Sequence, residues 1–333
     1  MRSDSRAVGK QWENENFLSS SSPQFYFQLL PAAQPLFSTA SRDAVTLPNK
    51  SQVVNMACFT AQDFRFPLGK RTYIMGIINV TPDSFSDGGL YLQPERAVER
   101  ALEMQREGAD IIDIGAQSTR PDAQPLSGEE EARRLTPVLE ALKSKLDIPV
   151  SIDTFNTTIA EFALKNGAAI INDVSGKVNP DIALLVKNYC AGWVIMHNAG
   201  GAAAVDVRHD GGVLQTVRSF FIKAAGQAKA FGIGAEQLCF DAGIGFGKSH
   251  TDNLTLLRHM REVKIDGTAL LTAASRKRVV GYATGEQTPE FREAGTIAAH
   301  TAAIAGGTDI IRVHDVRQAL QGARMADALF RNT

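Results

Sequence analysis

Eleven polar residues share a position. Asn79, Asp113, Asp153, Asn172, Asp173, His197, Asp241, Ser275, Lys277, Arg312 and His314 each stand at the carboxyl end of a short apolar run or just past it. A single aspartate there is as readily a helix N-cap. So many at the same end of successive runs brings carboxylates, amides and cations within reach of one ligand. Asp153 and Asp241 accept hydrogen bonds when ionised, and Asn172 both donates and accepts. That set suits a flat heterocycle with an amino-amidine edge, such as a pterin or guanine. Charge-assisted hydrogen bonds of this kind contribute about 1.5–3 kcal/mol each. Arg120, Lys277, Arg312, His314 and Asn79 are cationic or neutral-polar and suit phosphate.

Such residues need elements to hold them. Tyr73, Ile74, Met75, Gly76, Ile77 and Ile78 are apolar or small without a break, which suits a parallel strand covered on both faces. From Asn79 the chain turns polar, through Thr81, Asp83, Ser84, Ser86 and Asp87. Pro82 bends it, and Gly88 and Gly89 permit unusual angles. With the aromatic Phe85 among these side chains, the stretch reads as a binding loop rather than an ordinary turn.

Similar apolar runs recur at 74–79, 111–114, 150–153, 169–173, 193–197, 238–241, 269–272 and 310–313. Helical patterns alternate with them at 94–107, 128–145, 157–165, 180–187, 213–231, 254–262, 291–305 and 316–330. Gly108, Gly167, Gly306 and Gly307 mark helix ends before strands. Eight βα units in about 260 residues match the size of a TIM barrel, whose active sites gather at the strands' carboxyl ends. The fold class is therefore α/β, a single (β/α)8 barrel. A doubly wound sheet is the competing arrangement, but it usually carries a glycine-rich dinucleotide turn that this chain lacks. SRK (275–277) and RVHD (312–315) fall after the seventh and eighth strands, where such barrels hold phosphate.

Composition narrows the partners. The 333 residues are 44% hydrophobic and 21% charged, with a net charge of −1. Nothing favours nucleic acid or an anionic membrane. No apolar run approaches the roughly 20 residues that span a bilayer. Cys58, Cys190 and Cys239 are scattered, which fits a reduced, cytoplasmic setting and thiols that are not nucleophiles. Residues 1–55 hold Ser19 to Ser22 and several prolines, without a sustained period or a signal-peptide core. They read as a disordered or non-native extension, with the barrel in 56–333.

The motifs MGIINVTPDSFSDGG (75–89), DIGAQSTRP (113–121), SIDT (151–154), INDVSG (171–176), MH (196–197), FDAGIGFGK (240–248), SRK (275–277) and IIRVHDV (310–316) occur in this order. On them the chain resembles the dihydropteroate synthase family of pterin-binding barrels. Those enzymes join a pterin pyrophosphate to 4-aminobenzoate in folate synthesis. The resemblance implies a pterin pocket of Asp113, Asp153, Asn172, Asp241, Phe246 and Lys277. It implies pyrophosphate contacts from Asn79, Arg120, Arg312 and His314, with Mg²⁺ beside Asn79. Phe85, Thr119, Pro121 and Ser275 would shape the aminobenzoate pocket, under loops 81–89 (which carries Thr81) and 118–122. Asp113, Asp153, Lys277, Arg312 and His314 are the expected catalytic set. Sulfonamides are expected to compete for the aminobenzoate pocket, and the family suggests a homodimer through the last helices.

A guanidinium grips two phosphate oxygens where lysine cannot. Arg312→Lys is therefore expected to weaken pyrophosphate binding and spare free pterin. Several positions depart from the family pattern: Ala116 and Gln117 in DIGAQSTRP, Ala242 and Ile244 in FDAGIGFGK, Ala273 before SRK, and Asn198 after His197. These bear on pocket shape and sulfonamide response. Two other readings compete. A methyltetrahydrofolate-type methyltransferase barrel would lack TPDSFSDGG and SRK. A non-catalytic pterin binder would lack Asn79, Arg120, Lys277 or Arg312.

Overall fold

Each apolar run forms a strand because a closed ring of strands, wrapped in helices, buries both of its faces. We describe residues 57–80, 93–116, 127–200 and 207–331 of a computed structural model; the expected extension 1–55 lies outside them. An antiparallel hairpin comes first, β1 (Cys58–Ala61) and β2 (Phe64–Pro67). The barrel strands are β3 (Tyr73–Asn79), β4 (Ile111–Gly115), β5 (Val150–Asp153), β6 (Ile170–Asp173), β7 (Gly192–Met196), β8 (Leu238–Asp241), β9 (Ala269–Thr272) and β10 (Ile310–Val313). All pair in parallel with their chain neighbours, and β10 returns to β3 with Arg312 opposite Met75.

The helices are α1 (Gln93–Glu107), α2 (Gly128–Leu142), α3 (Thr157–Lys165), α4 (Pro180–Asn188), α5 (Val213–Ala230), α6 (His250–Arg258), α7 (Met260–Val263), α8 (Arg278–Thr284), α9 (Glu293–Ala305) and α10 (Val316–Phe330). Side-chain caps from Ser127, Asn156, Asn179, Ser249 and Asp315 satisfy first-turn amides of α2, α3, α4, α6 and α10. The helix expected at 254–262 starts earlier, at the capping box of Ser249 and Asp252, and breaks at His259. The short α8 was not anticipated.

Alternation along the strands sorts side chains into two layers. Ile111, Ile170, Val194, Cys239, Leu271 and Ile310 pack together inside the ring. Ile112, Ile152, Ile311 and Val313 pack outward against helices on one arc, and Ile171, Trp193, Ile195 and Phe240 do so on the other. Asp113, Asp153, Asn172, Asp241 and Arg312 each lie two residues along the strand from an inward position or opposite one, so they share the inward phase. Gly76 faces out, where a Cβ would come within 2.7 Å of Met104 Sδ. Its bare backbone lets α1 approach β3.

The hairpin stoppers the ring at the end opposite the site. Phe59 stacks on Phe66 at 5.9 Å, and Phe66 meets Tyr73 edge-on at 5.1 Å, all within the interior cluster. Gln62, at φ 53 in the turn, donates to Cys190 O at 2.7 Å. Sequence reading began the fold at Phe64 and missed this element. Its signal was the alternation of Phe59 and Ala61 with Phe64 and Phe66 around a two-residue turn. The barrel's seam has its own latch. Asp327 of α10 accepts from Thr72 N and Thr72 Oγ1, both at 2.7 Å, and from Arg331 Nε at 2.7 Å.

Candidate active site

At the carboxyl end of the ring, four strands build one polar cluster. Arg312 on β10 donates from Nε to Asp113 Oδ2 at 2.6 Å and from Nη2 to Asp153 Oδ2 at 2.8 Å. Asn172 Nδ2 donates to the same Asp113 oxygen at 3.1 Å. Register explains the meeting: Asp153 pairs directly with Asn172 across β5 and β6. Asp113 is fully buried, and its Oδ1 has no partner among the described residues. A buried acceptor left unpaired costs about 1–3 kcal/mol, so this oxygen gains from any donor that reaches it.

Lys277 approaches from β9. Its Nζ donates to Ile244 O at 2.6 Å and lies 4.8 Å from the centre of the Phe246 ring. Asp241 accepts from Gly243 N at 2.8 Å. Ser275 Oγ and His314 Nδ1 form a further pair at 2.9 Å, joining the loops after β9 and β10. Asn79 ends β3, and its side chain makes no hydrogen bond within the described residues.

Burial shapes the charges. It pushes the Asp153 carboxyl up to about 7, with Asp113 and Glu131 adding and Arg312 opposing. It pulls Lys277 down to about 8, against the attraction of Asp241. Burial also acts to lower Arg312, but Asp113 and Asp153 outweigh it and raise the guanidinium. Two acceptors, a buried fork and a poised ammonium thus face one space, an arrangement that reads donor and acceptor edges of a flat polar ring.

The structure revises several expectations. Arg312 does more than line a phosphate corner: its fork also ties together the two carboxylates expected to bind the ring. Asp315 Oδ1 caps α10 through Gln318 N. His197 does not join the mouth. It packs edge-on against Phe220 of α5 at 5.2 Å, and burial, with Lys248 next, lowers it to about 3. Asp173 faces outward and caps Ser175 N at 2.9 Å. Thr81, Phe85, Thr119, Arg120 and Pro121, with Gln117, lie outside the described residues.

Sequence reasoning gave Lys248 no role. Its buried Nζ donates to Gly243 O and Phe246 O at 3.0 Å and to His197 O at 3.3 Å, pinning the glycine loop that carries Phe246. Burial lowers it to about 7. Its signal was a lysine closing GIGFGK, a glycine run with carbonyls to spare. The departures separate by layer. Ala242 and Ile244 pack on the helix side, as does Ala116, whereas Ala273 joins the barrel interior. Only Ala273 among these places its methyl beneath the site. Asn198 stitches two loops, donating to Val174 O at 2.9 Å and accepting from Gly200 N at 3.1 Å. A cleft of about 460 Å³ opens at the opposite end, by Arg65, Lys70, Arg71 and Asp147. It is remote from the polar cluster, and Arg71 is already bound to Asp110 at 2.6 Å.

Known proteins are similar to this chain in sequence and fold. The family described as pterin binding enzyme matches residues 75–314. The fold and site thus define a pterin-binding barrel enzyme. The dihydropteroate synthase of Synechocystis sp. is 44% identical over 268 residues, covering 80% of this chain and 93% of that protein. A structure of Xanthomonas albilineans dihydropteroate synthase with 4-aminobenzoic acid is 38% identical, with a TM-score of 0.77, covering 83% and 98% of the two chains. A sulfonamide drug complex of the Yersinia pestis enzyme is 33% identical, with a TM-score of 0.75, covering 82% and 98%. The chain belongs to the dihydropteroate synthase family.

Proposed function

We propose that this chain condenses 6-hydroxymethyl-7,8-dihydropterin pyrophosphate with 4-aminobenzoate, giving 7,8-dihydropteroate and pyrophosphate. The observation that carries the reading is the Asp113–Arg312–Asp153 cluster with Asn172 beside it and one Asp113 oxygen unpartnered. The ring's amino and amide hydrogens go to Asp113 and Asp153, and Lys277 donates to its acceptor edge. Phe246 and Asp241 complete the pterin side. Ser275, with Phe85, Thr119 and Pro121 from the loops, serves the aminobenzoate pocket, and Thr81 belongs to the first of those loops.

In the reaction the methylene–oxygen bond to pyrophosphate breaks and the arylamine nitrogen bonds to the same carbon, then loses a proton. Electron density from the dihydropterin ring supports the cationic carbon, and buried carboxylates beside the ring favour that developing charge. Arg120, Arg312 and His314 meet the leaving phosphates. The amine is nucleophilic unaided, so no covalent enzyme intermediate is needed, and Lys277 acts as a donor rather than a Schiff-base amine.

Mg²⁺ fits the residues present as a metal that arrives with substrate. Among the described residues no three His, Cys, Asp or Glu side chains could cage one. Asn79 ends β3 with an amide side chain that makes no hydrogen bond within the described residues, which suits an ion that keeps waters and binds substrate phosphates. When bound, it supplies charge neutralisation to the leaving group.

The intact SRK segment and Asn79 favour this over a methyltransferase or a silent pterin binder. Sulfonamides are the expected inhibitors, in line with the Yersinia pestis complex. No described helix is long and apolar enough to cross a membrane; with three unpaired cysteines, we place the reaction in the cytoplasm. A homodimer through α9 and α10 completes the proposal. The test is pyrophosphate release from the full chain with both substrates and Mg²⁺. Release that needs both substrates and stops with a sulfonamide supports the reading. Pterin binding without release would reduce the protein to a binder.

A further inference from the structure

The loop after β9 carries two proposed site groups, Ser275 and Lys277, in five residues before α8 begins at Arg278. Little within the loop holds it. Inside it, Lys277 N donates to Ala274 O at 3.2 Å. At its centre Arg276 sits at φ 58, a left-handed conformation disfavoured for a side chain that is not glycine. Something outside must hold it there.

That support comes from one face of α9. His300 Nε2 accepts from Ala274 N at 3.1 Å. Thr296 Oγ1 accepts from Arg276 N at 3.1 Å. Arg292, the N-cap residue, donates from Nη1 to Arg276 O at 2.9 Å. The three stand four residues apart, one above another on the helix. All are buried, at 8%, 0% and 2% exposure for Arg292, Thr296 and His300. Arg292 is itself fixed, since Nε also donates to Glu286 O at 3.0 Å. His300 stays neutral, as burial and then Lys277 lower it to about 3, so its Nε2 remains an acceptor at working pH.

The two anchored amides flank Ser275 on either side. Lys277 has its own supports in Ile244 O and the Phe246 ring. We propose that Thr296 and His300 are positioning residues for the aminobenzoate pocket, which set Ser275 against His314 by holding the backbone N–H groups of its two neighbours, Ala274 and Arg276. This rests on the reading of Ser275 as part of that pocket. Loss of either acceptor should therefore harm the second substrate and largely spare the first.

The experiment compares Thr296→Val, Thr296→Ser, His300→Leu and His300→Gln in the full chain. Thr296→Val and His300→Leu should raise KM for aminobenzoate roughly fivefold or more, as loss of one well-made hydrogen bond does. Calorimetric affinity for the pterin pyrophosphate should stay within about twofold of wild type on the same scale. Thr296→Ser and His300→Gln keep an acceptor and should restore most of the KM. Hydrogen exchange at Ala274 and Arg276 should quicken in the valine and leucine variants only. Unchanged KM in folded Thr296→Val, or equal losses for both substrates, would overturn the proposal. A wild-type chain that releases no pyrophosphate rejects the functional reading instead, and the exchange rates still decide whether α9 holds the loop.

Discussion

At the level of single residues, two titrations should frame activity. Asp153 offers ring donors two charged acceptor oxygens only when ionised, and burial holds its carboxyl up at about 7. Lys277 donates only when protonated, and burial brings it down to about 8. We expect kcat/KM to rise as pH passes 7, to fall above 8, and to lose its rising limb in Asp153→Asn; a flat profile from about pH 6 to 9 would contradict these roles. The sign for stability is opposite. A carboxyl raised in the folded state adds stability that is full below its unfolded value of 3.8 and is lost as pH rises through 7. Melting temperature of the ligand-free wild type should therefore fall over the interval in which activity climbs, and Asp153→Asn should flatten that trend. Arg312 calls for a changed expectation. Its fork spans Asp113 and Asp153, and an ammonium cannot hold both at those angles. Arg312→Lys should weaken free pterin as well as pyrophosphate, pterin by roughly 10- to 100-fold, because buried carboxylates lose their counter-charge. Titration with pterin alone checks this. The residue types were legible in sequence because each ended an apolar run. Their pairing was not. Asp113 and Arg312 are 199 residues apart, and only barrel closure makes them neighbours. The same applies to His197, which shared the sequence position but fell on the outward phase.

At the level of elements, the eight barrel strands were readable because each is a short unbroken apolar run ending in polarity. The hairpin was not, since its four-residue strands abut a segment without pattern. Yet it fills the barrel's far end. Phe59→Ala should destabilise the fold by about 3–5 kcal/mol, the usual cost of deleting a buried aromatic. Gly192→Ala should act in the same direction, since its Cβ would stand 2.7 Å from Phe59 Cζ. Urea unfolding measures both. KM values for the two substrates should stay near wild type while the variants are folded, because the hairpin and the mouth sit at opposite ends. A changed KM would link the two ends. The α8 helix escaped sequence reading because seven residues, Arg278–Thr284, are too few to show a period.

For the molecule as a whole, the last helices carry an exposed apolar strip. Met325 and Leu329 lie one turn apart on α10, at 60% and 59% exposure, with Phe330 at 53%. If that strip forms the proposed homodimer, Met325→Glu with Leu329→Glu should give a monomer by sedimentation while wild type sediments as a dimer. Monomeric wild type would remove the dimer. Barrel class and closure were legible from the count and spacing of units; which helix face stays uncovered was not, because packing decides it. The Asp327 latch carries a different lesson, about synthesis. Thr72 and Asp327 are 255 residues apart, so at ribosomal rates of 5–20 residues per second the first barrel strand, β3, waits roughly 13–50 s for its clasp. Through that wait the strands that will line the ring are made before the helix that draws the seam shut. A nascent chain stalled short of residue 327 is thus a client for chaperones rather than a smaller enzyme.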